Sequence, residues 1–485
     1  MSSRTPVLVG IAQIEQRADD PLTAKEPVEL MIDAVRAAAE DAGSSALLQA
    51  SAVRVIRGIW PYQNPAKAVA EAIGNPNAET AITPYGGNFV QTTLNKSCLD
   101  IQSGKHDMVI ITGAECGNTQ AKAARAGQEL QWQELPGEPD LWMGEEVDMR
   151  HPAEKAIRLG APIQIYPIFE VALRHHLGLG VDEHLAQVSN LWAGFSQVAA
   201  ENPHAWIRDA KTAEEIRTPS AINRPVSYPY PKFMNSNNNV DQGAALILCS
   251  QEKAEALGIP REQWVYPWAG TDAHDHYFVS NRDNLYSSPA IRFAGKRCLE
   301  LAGLSVSDID RVDVYSCFPV AVQVAARELN LDTSKPLTVT GGLTWAGGPL
   351  NNYVMHSIAR MAQLLRAQPG DRGLITANGG YLTKHAFGVY STEPPAKPFQ
   401  HDDLQSQVDA TFKRDVASHH QGTATVEGYS VMYGAEGPNK AFIACRLDDN
   451  RRAWAINEEP EVLEAMIKEE FCGRPIKLTD NVGQF

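Results

Sequence analysis

The chain reads as an α/β protein built from two repeated halves, with a long segment inserted between them and a small β-rich module at the end. Three observations predict this. One helix-then-strand design recurs, starting at Ala34 and again at Ala294. Within each half, apolar strands alternate with amphipathic helices. After about residue 422 the pattern changes to short strands in close succession.

Taken in order, the run from Ala34 to Gly43 has helical apolar spacing, ends on glycine and precedes a Val/Ile strand at residues 52–59. Residues 294–303 repeat it before a strand at 311–315. A helix at 94–103 leads into a strand at 108–112, and one at 354–365 leads into 373–377. This alternation implies mostly parallel, helix-covered sheets whose strand C-termini meet at one edge. Residues 116 to about 230 are too long for a plain connection and are expected to form an inserted loop domain over that edge. The expected boundaries are residues 1–270 for the first half with its insertion, 271–392 for the second, 393–422 for a linker and 423–485 for an additional domain. Three strands and a helix in that last stretch suggest a small OB-like barrel or α+β module, with a core that stays soluble when it is cut away near residue 395.

Size and charge narrow the function. A chain of 485 residues suits two or three domains, and a net charge of −15 argues against a nonspecific grip on nucleic acid. Seven scattered cysteines without a CxxC pair fit reduced cytosolic thiols and call for no metal. No apolar run approaches the ~20 residues that span a bilayer, and the first residues lack signal-peptide features. The expectation is a cytoplasmic protein without membrane contact. His175-His176 and His274-Asp275-His276 lack a third ligand at a recognisable spacing, so they read as surface or loop histidines. Trp132, Trp142, Trp192 and Trp206 read as packing of the inserted segment. Four glycine pairs, Gly86-Gly87, Gly341-Gly342, Gly347-Gly348 and Gly379-Gly380, are expected to line a pocket walled by backbone.

The duplicated half, the strand Asp241-Gln-Gly-Ala244 and the glycine-rich ends of the second half together resemble the thiolase superfamily, in its sterol-carrier-protein-like branch. With the appended module the resemblance is to the type-1 thiolase-like proteins, labelled acetyl-CoA acetyltransferases. It implies a duplicated thiolase fold layered α-β-α-β-α. Thiolases make or cleave carbon–carbon bonds in CoA esters with a nucleophilic cysteine at a helix N-terminus, a His- or Asn-bearing loop, a Gly-His-Pro loop and a Cys-x-Gly loop. On this chain the nucleophile's place falls on Gly87, the second loop's histidine on Tyr315, the oxyanion-hole histidine on Gly348 and the acid/base cysteine on about Ala377. Cys98 lies inside the helix, ~16 Å along from Gly87 at 1.5 Å per residue, and is expected to be a structural thiol.

Ordinary thiolysis is therefore expected to be absent or very weak. The replacements are themselves chemical. Tyr315, Tyr381, Lys384 and His385 are the candidate catalytic groups, because a cation beside a phenol lowers its pKa and makes it a proton shuttle. Gly86, Gly87, Gly347, Gly348, Asn378, Gly379 and Gly380 are the candidate pocket backbone. Relatives in this branch use tyrosines for retro-aldol cleavage of acyl-CoA side chains alongside an OB-fold partner. The resemblance thus implies a CoA thioester as substrate or ligand, no covalently bound cofactor, and a monomer rather than a dimer. A noncatalytic CoA-ester or lipid binding protein is the alternative. Tyr315 and the 381–385 segment are expected to meet near Gly87 and Gly348.

Overall fold

The computed structural model describes residues 3–485. Its first sheet holds β1 (Pro6–Glu15), β2 (Ala52–Val55), β3 (Glu79–Ile82), β4 (Met108–Cys116), β5 (Leu141–Trp142) and β8 (Asp241–Ser250), in the order β1-β8-β4-β2-β3-β5. The second holds β9 (Tyr266–His274), β10 (Arg311–Asp313), β11 (Arg372–Gly379), β12 (Lys384–Ser391) and β13 (Gln400–Asp403), in the order β10-β11-β12-β9-β13. Pairing is mixed, where the alternation predicted mostly parallel sheets. β8 lies antiparallel between β1 and β4, and β12 returns along β11 as a hairpin instead of through a crossover helix.

Two helices fill the space between the sheets. Phe89–Ser103 packs against β4, β8, β9 and β12, and Tyr353–Ala367 against β1, β8, β10 and β11. Pro27–Asp41 covers the outer face of the first sheet and Pro289–Ala302 that of the second, completing five alternating layers. A helix buried on all sides must satisfy its own polar groups. In Phe89–Ser103, Asp100 takes the fully buried Arg54 as ion-pair partner, and Gln91 donates to Asn95 at 2.9 Å. The repeated helices end as expected: Gly303 caps the second in the left-handed conformation, and Gly43 follows the first at φ +71°.

The C-terminal strands β14 (Gly422–Gly434), β15 (Gly437–Arg446), β16 (Arg452–Asn457), β17 (Pro475–Thr479) and β18 (Val482–Gln484) close on themselves, β14-β15-β16-β18-β17-β14. A helix, Pro460–Met466, sits between the third and fourth strands. This ring is OB-like. It is also welded to the rest. From the inserted segment, β6 (Pro225–Tyr228) pairs with β14, and β7 (Tyr230–Pro231) extends the same sheet. Arg452, fully buried, donates to the carbonyls of Val279, Ser280 and Arg282. Residues 400–403, inside the stretch expected to be a linker, form β13 on the edge of the second sheet. No described helix is long and apolar enough to cross a membrane.

Candidate functional site

The C-terminal ends of β3, β10 and β11 converge on one place. Beyond β3, residues 83–88 lead to the N-terminus of the Phe89–Ser103 helix. Beyond β10 comes Tyr315, and at the end of β11 stand Asn378 and Gly379. Gly87 marks how tightly they meet. A Cβ placed there would lie 2.5 Å from the Tyr315 hydroxyl, 3.0 Å from its Cε2 and 2.5 Å from the Asn378 carbonyl oxygen. The volume a side chain at residue 87 would need is therefore held by the Tyr315 ring and the β11 backbone. Gly379 closes the same contact from the other side, its Cβ position lying 3.1 Å from Gly86 Cα and 3.2 Å from Gly87 N.

Tyr315 is 8% exposed, and its hydroxyl has no hydrogen-bond partner among the described residues. Burial pushes its phenol well above the usual value, with Cys317 and Tyr353 adding to the effect. It is therefore a hydrogen-bond donor at neutral pH and not a base. Cys317, two residues on, is pushed up to about 12 by burial and stays a thiol. Tyr315, Asn378 and His385 line one small cavity of about 10 Å³, room for a single water. His385 is 2% exposed, and its Nε2 lies 3.7 Å from Asp275 Oδ2 with no hydrogen bond of its own. For Asp275, burial favours the neutral acid, but His385, Arg282 and Ser288 outweigh it and hold the carboxyl below its usual range.

The other candidates separate. Lys384 stands at Gly86, its Nζ 2.8 Å from that glycine's Cβ position, donating to the Tyr85 carbonyl and lying 4.9 Å over the Phe89 ring. Burial lowers its amine pKa. Tyr381 points elsewhere: its hydroxyl donates to the Gly160 carbonyl in the inserted segment, and burial raises its pKa. Neither phenol has the activating cation expected from the sequence. Gly347 packs on Gln242 and Gly348 on Asn238, and Gly341 abuts Ala199; three residues beyond Gly348, Asn351 Oδ1 accepts from the Gly86 amide at 3.1 Å. Of the four glycine pairs, the first and last form the junction and the other two admit neighbouring chain.

Tyr166 is the residue that sequence reasoning missed. It lies on the inserted helix Pro162–Leu177, and its oxygen donates to the Gly380 carbonyl while accepting from Asn378 Nδ2 and the Leu382 amide. Nothing local distinguishes it from any buried helical tyrosine. Next to Gly86 in sequence, Tyr85 belongs to an exposed aromatic group: Arg57 lies 4.9 Å over Tyr85 and 5.8 Å over Trp142, and these rings are 39% and 43% exposed. Trp142 thus faces solvent, whereas Trp192 packs the interior as expected, donating to Thr344. Cys98 is buried in the core, burial raising its pKa. Among the histidines, His176 stacks on Tyr286, and His274 stacks on Tyr277. His175 comes within reach of Glu470 and Cys472, but Glu470 is already the ion-pair partner of Arg174.

Comparison with known proteins agrees with this architecture. Residues 403–481 match the family model described as the thiolase-like protein type 1 additional C-terminal domain. An acetyl-CoA acetyltransferase of Methanothermobacter thermautotrophicus is 24% identical over 323 residues, 62% of this chain and 74% of that protein. The solved structure of an aldolase, Ltp2-ChsH2(DUF35), superposes with a TM-score of 0.60 at 18% identity, covering 80% of this chain and 98% of that one. A monomeric SCP2-thiolase-like protein type 1 from Mycobacterium smegmatis is 30% identical, covers 100% of both chains and superposes with a TM-score of 0.87. On that full-length identity the chain belongs to the SCP2-thiolase-like proteins of type 1.

Proposed function

We propose that this protein handles acyl-CoA thioesters without a cysteine nucleophile, its reaction centre being the Tyr315 phenol at the N-terminus of the Phe89–Ser103 helix. The observation that carries this reading is the 2.5 Å separation between the Tyr315 hydroxyl and the Cβ position of Gly87. Where a thiolase would place its thiolate, this chain offers a neutral phenol with an unpaired hydroxyl. Such a group donates a hydrogen bond to the thioester oxygen of a β-hydroxyacyl-CoA; as a base takes the β-hydroxyl proton, the Cα–Cβ bond breaks to release an aldehyde or ketone, the enolate takes the phenol's proton, and the base hands its own to the phenolate. The base is then His385, which shares the small cavity with Tyr315 and has the Asp275 carboxylate 3.7 Å from its Nε2. Tyr381 is a positioning residue in this scheme. The exposed rings flanking Arg57 suit the adenine and phosphates of coenzyme A, and the monomeric relative favours a monomer here.

The second reading, a noncatalytic CoA-ester binder, draws on the cavity beside Tyr315, which holds no more than a water. The two separate in one experiment: incubation with β-hydroxyacyl-CoA thioesters of graded chain length, following aldehyde or ketone release. The catalytic reading expects turnover that falls by about 10²–10⁴-fold in Tyr315→Phe with little change in KM. Saturable CoA binding without turnover selects the binder, and turnover unchanged in Tyr315→Phe removes the phenol from the mechanism.

A further inference from the structure

Where the inserted segment meets the C-terminal barrel, three side chains of metal-binding type converge. His175 stands in the last turn of the Pro162–Leu177 helix, and Glu470 and Cys472 flank Phe471 in the loop that leads into β17. Their ligand atoms, an imidazole nitrogen, a carboxylate oxygen and the Cys472 sulfur, all lie within 4.8 Å of one another. His175 Nδ1 and Glu470 Oε2 are 3.7 Å apart. Donors held tetrahedrally by one zinc ion at ~2.0–2.3 Å stand roughly 3.3–3.5 Å from each other, so side-chain movements of about 1 Å close the set.

The cluster is braced from both sides. Glu470 Oε1 accepts from the Cys472 amide at 2.8 Å and from Arg174 Nη2 at 3.1 Å. The ion pair with Arg174 therefore takes one carboxylate oxygen, and the other, Oε2, is the one nearest His175. Gly473, at φ +83°, lies against the imidazole: its Cβ position is 3.6 Å from His175 Cε1 and 3.8 Å from Nε2. Cys472 is 5% exposed, and its thiol donates a weak bond to the Glu427 carbonyl at 3.6 Å. The His175 and Glu470 side chains are 50% and 34% exposed, so an ion arriving from solvent meets them before the sulfur. The partial negative charge at a helix C-terminus favours a cation at this end and opposes the repulsion from Arg174.

We propose that His175, Glu470 and Cys472 form a binding site for a divalent transition-metal ion of the zinc type, with water as the fourth ligand. One imidazole, one carboxylate and one thiolate suit a borderline-soft ion, whereas magnesium and calcium take oxygen ligands. On binding, the Cys472 S–H bond breaks, its proton passes to solvent and a sulfur–metal bond forms. The two anionic ligands then balance the divalent charge, and Arg174 keeps its hydrogen bonds to the Tyr228 and Tyr429 hydroxyls. The ion ties the barrel to the helix that bears Tyr166, whose oxygen holds the Asn378–Leu382 turn. It acts as a clip between these two parts, apart from the Tyr315 centre. The pair His175-His176 did not disclose it in the sequence, because the other two ligands come from the far end of the chain.

The test uses the full-length protein, stripped with a chelator and titrated with cobalt(II), which reports a zinc site by its colour. One equivalent should bind with the visible bands of a tetrahedral ion and a near-ultraviolet sulfur-to-cobalt charge-transfer band. Zinc should displace it, and magnesium should not. His175→Ala removes a half-exposed ligand and should weaken cobalt binding about 100-fold or more, since even partners that only orient a ligand are worth ~10–100-fold. Cys472→Ser should abolish the charge-transfer band. Crystals soaked in zinc should show an anomalous peak between His175 Nδ1, Glu470 Oε2 and Cys472 Sγ. No saturable one-to-one uptake at micromolar cobalt, a spectrum without the sulfur band, or binding undiminished in His175→Ala would each overturn the assignment. None of these readouts depends on turnover at Tyr315.

Discussion

Replacing Gly87 by alanine adds one methyl group to a crowded point of the proposed reaction centre. That methyl would sit 2.5 Å from the Tyr315 hydroxyl, 2.5 Å from the Asn378 carbonyl and 3.0 Å from Tyr315 Cε2. None of these is the free end of a flexible chain. The carbonyl belongs to β11, paired along its length with β12, and the Tyr315 ring packs edge-on against Tyr353 at 5.5 Å. Relief requires the ring or the strand to move, and overpacking of this kind costs ~1–3 kcal/mol. Urea denaturation of Gly87→Ala should show a lowered midpoint with unchanged slope. Adding Tyr315→Phe removes one of the two shortest contacts, so the double variant should recover part of the loss; this coupling is what a double-mutant cycle reads. An unchanged midpoint in Gly87→Ala, or strictly additive effects, would refute the claim that the Tyr315 hydroxyl holds the space at residue 87.

Glu115, 6% exposed and bound to the Ile59 amide, has its carboxyl raised by burial to about 7 against a usual 4.5. The folded state therefore holds a proton that the unfolded chain releases, so stability falls as pH rises between these values, and the cost is complete above about pH 7. Glu115→Gln keeps an acceptor and should remove that slope, gaining up to ~3 kcal/mol at alkaline pH; an identical pH profile would show that Glu115 ionises freely. Deleting residues 404–485 strips β14 from β6 and leaves the carbonyls that Arg452 caps without a donor. The remainder should precipitate or lose near-UV circular dichroism, and a soluble, fully folded fragment would show the barrel to be an independent appendage.

The fold was legible because its signals are local. The paired Gly-terminated helices and the strand-rich tail follow from periodicity and capping within a few residues. Strand direction was not, since β8 and β12 owe their antiparallel placement to long returns and a hairpin turn that periodicity does not encode. In the site, Gly87 and Tyr315 were reachable because each follows a strand end, where this architecture gathers its loops, and Asn378 and Lys384 because they flank the turn between β11 and β12. Tyr381 went astray because its hydroxyl finds Gly160 across the inserted segment, and Tyr166 was invisible because it arrives from that same segment. Electrostatics diverged for a related reason. Sequence adjacency put Lys384 near Tyr381, but Tyr381 lies in the turn between β11 and β12 and sends its hydroxyl to Gly160 while Lys384 opens β12 beside Gly86, and burial then set the sign of the Tyr315 shift.

The account stands most directly on whether this protein forms an acyl-enzyme. Intact-protein mass spectrometry after incubation with acetoacetyl-CoA, quenched in acid and followed by peptide mapping, reads this without knowledge of the natural substrate. All seven cysteines are buried, and Cys317, which lies beside Asn378 in the reaction centre, holds its proton up to about 12. The expected result is an unmodified chain, in the wild type and in Tyr315→Phe alike. An acetyl adduct mapping to Cys317, or to any other cysteine, would contradict the claim that the reaction centre works through Tyr315 and not through a thiolate.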